Sequence, residues 1–281
     1  MRKFCRRCMA FSLVFIVLGG IFVGVGVGMG ASFDSLPNLV LGPFSDNRKR
    51  EDISLTFEEV MSIEIDATAA NIHIIEGNQF GVEGRSVPIG VLQAKVEDGV
   101  LMVEYDLEDS AWRRSIRWGE NHTPRITVTV PANIVLEKLD VDINVGQLRI
   151  EGIKTNIAQM ELNTGNMELH RFFAHTSDIS CDVGRIYLEG MLEGDTQISC
   201  NVGDITLKLA QEQKMHNYDV ETNVGRVRMN GRGHDGINGS YEVNSGADSW
   251  FYVTCDIGNV MISTQDLDLN RGGRGNGEEI V

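Results

Sequence analysis

The feature of this sequence that most constrains its fold is a short phrase, Asn or Asp, any residue, then Gly, which returns at a fixed interval. The four most regular copies have their glycines at positions 146, 165, 184 and 203, so each step is 19 residues. Looser copies follow at Asn223-Val224-Gly225, Asn244-Ser245-Gly246 and Asp256-Ile257-Gly258. A period of about 20 residues is typical of proteins built from similar units stacked on one another.

Alternating apolar and polar residues on both sides of each glycine predict the shape of one unit. In the first copy, Val141 and Ile143 alternate with polar residues before Gly146, and Leu148 and Ile150 do so after it. That pattern is typical of strands with one buried face, and glycine or Asn favours a corner between them. The predicted corner residues are Asn144, Gly146, Asn163, Gly165, Asp182, Gly184, Asn201, Gly203, Asn223, Gly225, Asp256 and Gly258.

Stacking of these units predicts an all-β fold, a β-solenoid with repeats of about 19–22 residues. In such a stack Arg149 would meet Glu168, and Asp204 would lie between Arg185 and Arg226. Opposite charges on neighbouring strands stabilise a sheet. We therefore expect the units to stack in register, with no two like charges on adjacent units among the four regular copies.

The N-terminus has the pattern of a membrane anchor. Residues 1–8 carry four positive charges, and residues 9–30 contain no charged residue. As a helix, those 22 residues would span about 33 Å, enough to cross a bilayer. The preceding basic residues predict a single-pass protein of the cell membrane with a cytoplasmic N-terminus and an extracellular C-terminal domain. A cleaved signal peptide is the alternative, because Gly28 and Gly30 have suitable spacing for cleavage.

Beyond the anchor, the sequence divides into three parts. Residues 31–58 have no sustained period and are predicted to be a linker. Residues 59–264 are predicted to form the β domain, in which 59–140 are less regular leading coils. Residues 265–281 are polar and glycine-rich, which predicts a disordered tail.

The part of the chain predicted to be exported is strongly acidic. The whole chain has a formal charge of −15, and because the first eight residues carry +4, the remainder carries −19. Nucleic acid is therefore not an expected partner. Repulsion also opposes general adsorption to a negatively charged membrane surface.

The cysteines and histidines show no recognisable metal site. Cys5 and Cys8 form a lone Cys-x-x-Cys, with no second pair to complete a zinc site. Cys181, Cys200 and Cys255 fall in the inward column of the repeat and are interpreted as small core residues. Their spacing leaves a disulfide between Cys181 and Cys200 open. The histidines share no metal-ligand spacing, and no metal or cofactor is expected.

The common catalytic motifs are absent from the sequence. It contains no Gly-x-Ser-x-Gly, no His-Glu-x-x-His and no phosphate-binding loop. A β-helix polysaccharide lyase or hydrolase needs clustered carboxylates on neighbouring coils, for which Asp182 and Asp204 are the nearest candidates. Asp182 stands in a corner column otherwise filled mainly by Asn, and Asp204 is flanked by arginines. Both therefore have structural explanations, and the chain is predicted not to be an enzyme.

One insertion between two predicted strands is the candidate binding surface. It concentrates two of the three tryptophans and three arginines within seven residues of an otherwise acidic chain. Exposed Trp and Arg are enriched where proteins bind their partners. The alternative is that the tryptophans cap an open end of the solenoid while the arginines pair with acidic neighbours. The residues are Trp112, Arg113, Arg114, Arg117 and Trp118.

The repeats, the strand at 126–131 and the Trp-containing insertion resemble a bacterial β-strand-repeat family of unknown function, labelled "putative adhesin" and found in cell-envelope proteins of Gram-positive bacteria. The resemblance covers roughly residues 60–264. It implies an exported β-solenoid, and some members are tied to envelope-stress signalling. It provides no catalytic residues to transfer to this chain.

These observations lead to one expected function and two alternatives. We expect a membrane-anchored extracytoplasmic module with an adhesin-like binding or structural role, whose partners are the bilayer and an envelope polymer or membrane protein. The first alternative is an envelope-stress sensor subunit. It would act through Gly20, Gly24 and Gly28, whose spacing suits helix pairing and also a homodimer. The second is the polysaccharide-cleaving enzyme.

Overall fold

The computed structural model describes residues 50–106 and 124–264, which form a 12-stranded open sheet. The strands follow one another as β1 (Arg50–Phe57), β2 (Ser62–Gly77), β3 (Phe80–Pro88), β4 (Leu92–Glu97), β5 (Val100–Tyr105), β6 (Arg125–Pro131), β7 (Val135–Glu151), β8 (Lys154–Leu192), β9 (Thr196–Leu209), β10 (Asn217–Met229), β11 (Arg232–Val243) and β12 (Trp250–Thr264). A short 3-10 helix, Gln213–Met215, precedes β10. Across the sheet the order is β1-β3-β6-β2-β7-β8-β9-β12-β10-β11, and the β4–β5 hairpin pairs with β2 through β5.

The centre of the sheet is a stack of parallel rungs, where a rung is one strand–corner–strand unit. β8 is 39 residues long because it makes two successive rungs, the first paired with β7 and the second with β9. Corner glycines lie opposite one another, as Gly146 does to Gly165 and Gly184 does to Gly203. The all-β class and the in-register, solenoid-like repeat predicted from the 19-residue period are confirmed.

The corners are narrow and are tied together by their side chains. Gly146, Gly165, Gly184, Gly203, Gly225 and Gly258 all have φ between 147° and 153°. Asn163 Nδ2 donates to Asn144 Oδ1 over 2.7 Å, and Asn201 Nδ2 donates to Asp182 Oδ1 over 2.8 Å. These side chains form part of a hydrogen-bonded ladder that crosses the rungs.

The last rungs do not stack in chain order. β12 lies between β9 and β10, so Asp256 follows Asn201 in the corner column, and Asn223 donates to Asp256 over 2.8 Å. The phrase Asn244-Ser245-Gly246 is not a corner, because β11 returns antiparallel to β10 and Gly246 lies in the loop before β12. The expectation that these later copies stack as rungs in chain order was wrong, because a column of similar residues does not specify which strand lies beside each rung.

The N-terminal half contributes the rung β2 and a second, interrupted rung, because β5 and β6 pair in parallel with the two successive halves of β2. β2 pairs in parallel with β7, and Ala70 lies opposite Gly146. β3 pairs antiparallel with both β1 and β6, and β4 and β5 form an antiparallel hairpin. β1 lies within the segment 31–58, which was predicted to be a linker. The strand was not predicted because it is a largely exposed edge strand without a clear apolar alternation.

The inward columns form a continuous apolar core, which includes Ile143, Leu162, Ile186, Ile205 and Val227. Cys181, Cys200 and Cys255 lie in this core as free, buried thiols on adjacent rungs. Hydrogen bonding to Cys181, together with burial, raises the pKa of the Cys200 thiol to about 12. The three cysteines therefore act as small core residues.

The described part of the chain, 50–106 and 124–264, has no helix long and apolar enough to cross a bilayer. The apolar segment 9–30, the pair Cys5 and Cys8, and the predicted tail 265–281 lie outside the described residues.

Candidate binding surface

The strand segments that precede the corners share one solvent-exposed side, which we call the outer face. Period-two alternation places two columns of side chains on it, across β2, β7, both rungs of β8, β9, β12 and β10. The first column is Glu64, Asp140, Gln159, Asp178, Gln197, Tyr252 and Asp219. The second column is Asp66, Asp142, Glu161, Ser180, Ser199, Thr254 and Glu221.

Carboxylates dominate one end of the outer face. Asp142 lies opposite Asp66 on one neighbouring strand and Glu161 on the other. Partial burial, followed by the charges of Asp66 and Asp140, raises the pKa of the Asp142 carboxyl. The expectation that adjacent units carry no like charges is therefore wrong, because it rested on the columns that follow the glycine and not on those that precede it.

An open groove of about 240 Å³ runs along this acidic end. Asp140, Asp142, Glu161 and Asp178 contribute to its lining. Lys138 Nζ lies 2.7 Å from Asp140 Oδ2 and offsets part of the charge. Among the residues that the structure describes, no group of His, Cys, Asp or Glu is arranged to hold a metal ion. The groove is a negatively charged part of the outer face.

An aromatic pair stands at the other end of the outer face. The rings of Trp250 and Tyr252 are stacked, with centroids 5.7 Å apart and planes inclined by 12°. Tyr252 is 46% exposed, and its strand neighbours in the column are Gln197 and Asp219. The pair places stacked aromatic rings on the outer face, with polar residues on both sides of Tyr252.

Residues on neighbouring elements fix the position of the aromatic pair. The Trp250 backbone N–H donates to Asp195 Oδ1 over 3.0 Å. Asn217 lies beside Trp250 in the sheet, and its Nδ2 donates to the Ala247 carbonyl over 2.7 Å. Its Oδ1 accepts from the Ser245 N–H over 2.9 Å. The loop before β12 is therefore anchored where the tryptophan begins the strand.

The exposed side that follows the corners is neutralised by its own charge pairs. Arg149 contacts Glu151 over 2.6 Å and Glu168 over 3.1 Å, which confirms the predicted Arg149–Glu168 pair. Lys208 Nζ lies 5.2 Å from the centroid of the Tyr187 ring. These charged groups therefore already have partners within the chain.

The two carboxylates considered for glycan cleavage have structural roles. Asp182 accepts a hydrogen bond from Asn201 in the corner ladder. Asp204 accepts from both the backbone N–H and Nδ2 of Asn259, over 3.1 and 2.7 Å. The prediction that Asp204 lies between Arg185 and Arg226 is half wrong, because β12 takes the place beside β9 and supplies Asn259.

The Arg- and Trp-rich insertion predicted to bind, Trp112, Arg113, Arg114, Arg117 and Trp118, lies outside the described residues. So do Gly20, Gly24 and Gly28. Both ends of the insertion are fixed at β2, because Thr68 Oγ1 donates to Asp106 Oδ1 over 3.1 Å and the Asn71 N–H donates to the Pro124 carbonyl over 3.0 Å.

Sequence reasoning did not single out Trp250 and Tyr252, although a signal was present. The two residues are separated by one position on a strand, so both face the same side. Placing Tyr252 in the column of Asp178 and Gln197 identifies that side as the exposed one. The pair was overlooked because the density of Trp and Arg at 112–118 is more conspicuous in the sequence.

Comparison with known proteins gives one family match. Residues 126–263 match the family described as Toastrack, DUF4097. This range begins at β6 and ends near the close of β12, so it contains the parallel rungs from β7 onward. No curated protein matches the chain.

Solved structures with a similar arrangement come from several bacteria. A "putative cell adhesion protein" from Clostridium sporogenes ATCC 15579 is 13% identical, covers 77% of this chain and 100% of its own, and has a TM-score of 0.42. A "putative adhesin" from Bacteroides fragilis NCTC 9343 is 14% identical over 77% of this chain and 97% of its own, with a TM-score of 0.29. A "putative lipid binding protein" from Parabacteroides distasonis ATCC 8503 is 12% identical over 78% and 98%, with a TM-score of 0.34. Similarities this distant carry no argument about ligands.

Proposed function

Since residues 126–263 match the family described as Toastrack, DUF4097, as the resemblance to an adhesin-labelled family predicted, we propose that this chain is a membrane-anchored, non-enzymatic binding module of the cell envelope. In this proposal residues 9–30 hold the chain in the bilayer as a single pass, and the sheet lies outside. The basic residues at 1–8 and the uncharged run that follows support that orientation. The role is adhesin-like, namely attachment to an envelope component without its chemical conversion.

The observation that carries this proposal is the outer face. It presents two regular columns of mostly polar side chains and one aromatic pair, in which Tyr252 is exposed, on a rigid support. The support is rigid because the inward columns pack into one continuous core and the corners are joined by hydrogen bonds. A repeated, rigid surface suits a repeated ligand such as an envelope polymer, because few side chains must be ordered when it binds.

The orientation is tested by adding protease to intact, wall-stripped cells. The sheet should be removed while cytoplasmic control proteins survive. Protection of the sheet from protease would contradict the proposed orientation. A variant with Arg2, Lys3, Arg6 and Arg7 changed to Ala is the matched test of topology, because those charges should hold the N-terminus inside.

Attachment is tested with isolated envelopes, and two surfaces are compared. The insertion predicted from the sequence is the second candidate surface; if it makes the contact, changing Trp112, Arg114 and Trp118 together to Ala should abolish envelope binding with little change in thermal stability. A large fall in melting temperature would show instead that the tryptophans stabilise the fold. Tyr252→Ala on the outer face is the parallel variant, and a loss of envelope binding in this variant, with the insertion intact, would assign the contact to the outer face. If envelopes bind neither parent nor variants, the attachment role itself is refuted.

A further inference from the structure

We infer that the aromatic pair Trp250–Tyr252 is a subsite for a glycan that carries protonated amino groups, such as a polymer of unacetylated amino sugars. This inference rests on the proposed function, because it names the ligand of an envelope-binding surface. It concerns a part of the chain remote in sequence from the insertion at 112–118. The shape of the pair, its hydrogen-bonding neighbours and the charge around it support the inference.

The shape of the pair suits a sugar ring. The two rings are stacked with their planes inclined by 12°, and Tyr252 is 46% exposed, so part of its ring remains open to a ligand on the outer face. Aromatic faces bury the C–H side of a ring by apolar contact, while the polar substituents of the ligand remain free to bond elsewhere. The hydrogen bond from the Trp250 backbone N–H to Asp195 and the anchored loop before β12 hold the aromatic pair in place without a ligand.

Polar groups without side-chain partners among the described residues flank the aromatic pair. Gln197 and Asp219 lie on either side of Tyr252 in the column, and Thr254 lies one position along the second column. In the described part of the chain, the side chains of Gln197 and Asp219 make no hydrogen bond or ion pair. An amide and a carboxylate beside an aromatic face provide donors and acceptors for hydroxyl and amino groups.

Charge selects the class of glycan. Around the aromatic pair the outer face carries Asp178, Asp219 and Glu221, and the columns continue into the acidic groove. On β9, β12 and β10, the described outer-face positions of both columns hold no Lys or Arg. A polymer of uronic acids or phosphates would be repelled, whereas an ammonium group gains carboxylate partners and a cation–π contact with the rings.

Tryptophan fluorescence gives a direct test. Changing Trp112 and Trp118 to Phe leaves Trp250 as the single tryptophan in the chain. Titration of this variant with glucosamine oligomers should shift its emission and saturate, and added salt should weaken binding. N-acetylated oligomers should bind at least about tenfold more weakly, since they lack the ammonium group, and uronic acid oligomers should give no shift. Equal binding of charged and acetylated oligomers, or no saturable shift with any, would overturn the inference.

Variants separate a binding role from a folding role. Tyr252→Ala and Asp219→Asn should each weaken glucosamine-oligomer binding at least about tenfold, whereas Tyr252→Phe should retain it because the ring is kept. Tyr187→Ala is the matched control, because this aromatic lies on the charge-paired side of the sheet. If Tyr187→Ala weakens binding as much as Tyr252→Ala at equal melting temperature, the site is wrong.

Failure of the glycan subsite is distinguishable from failure of the proposed attachment function. Envelopes that bind the parent chain while glucosamine oligomers give no shift would refute the subsite and leave the attachment role standing. Saturable oligomer binding by a chain that binds no envelope would support the subsite and refute attachment.

Discussion

Gly203→Ala tests whether stacking at the corners decides the stability of the fold. Gly203 has a φ of 150°, and a Cβ added there would lie closer than 3.0 Å to the carbonyl oxygen of Gly184 on the preceding rung. Real Cβ atoms essentially never approach a backbone oxygen so closely. Because that oxygen belongs to the backbone, it cannot rotate away, and the two rungs must separate.

The expected loss has two parts. Holding a residue with a side chain in this region of φ costs about 1–3 kcal/mol. Separating the rungs at the corner breaks backbone hydrogen bonds between β8 and β9, and three such bonds at about 1 kcal/mol each add about 3 kcal/mol. The total of about 4–6 kcal/mol corresponds to a fall in melting temperature of about 8–24 °C for a domain of this size.

Gly246→Ala is the matched control because it separates backbone strain from overlap. Gly246 also has a positive φ, 72°, but no atom lies within 4 Å of an added Cβ. This control should lose only about 1–2 kcal/mol, or about 2–8 °C. Urea unfolding followed by far-UV circular dichroism measures the free energy of unfolding of both variants. Equal losses in the two variants would refute the claim that contact between rungs dominates at the corner.

Two further perturbations test the register and the electrostatics of the outer face. Ile186→Asp should unfold the domain, since Ile186 is fully buried and an unpaired buried carboxylate costs several kcal/mol. Tyr187→Asp should be tolerated, because Tyr187 faces the other side of the strand. Circular dichroism and melting temperature measure both variants, and an equal loss of stability would show the register to be wrong. Asp142→Asn should raise the melting temperature at pH 7. A carboxyl whose pKa is raised in the folded state destabilises the fold as the pH rises above its unfolded pKa of 3.8. The gain should disappear below pH 3.8, and a gain that persists there would contradict an electrostatic origin.

The repeat was predictable because it is encoded twice, by period-two alternation within a strand and by the 19-residue step between rungs. The identity of the corner glycines and the inward position of Ile186 followed directly. The order of the final rungs did not follow. Thr222, Cys200 and Cys255 all fit the same inward column, so the pattern permits β10 or β12 beside β9.

The candidate surface was predictable only in part. The acidic columns were present in the sequence, yet the like-charged neighbours Asp142 and Glu161 appear only when the columns before the glycine are aligned. Tyr252 required the true position of β12, since its neighbours Gln197 and Asp219 come from strands that are not adjacent in the chain. β1 was missed because an edge strand needs little apolar alternation when one side faces solvent.

The position of β12 has a consequence for how the chain is made. During synthesis β10 and β11 emerge before β12, at a time when the edge of β9 is unoccupied. The repeat columns allow β10 to pair there, with Thr222 beside Cys200 where the finished protein has Cys255. Such a mispaired intermediate must open before the last strand can enter. A chain whose synthesis stops short of β12 therefore presents a bare or wrongly paired edge prone to aggregation, rather than a shorter version of the same domain.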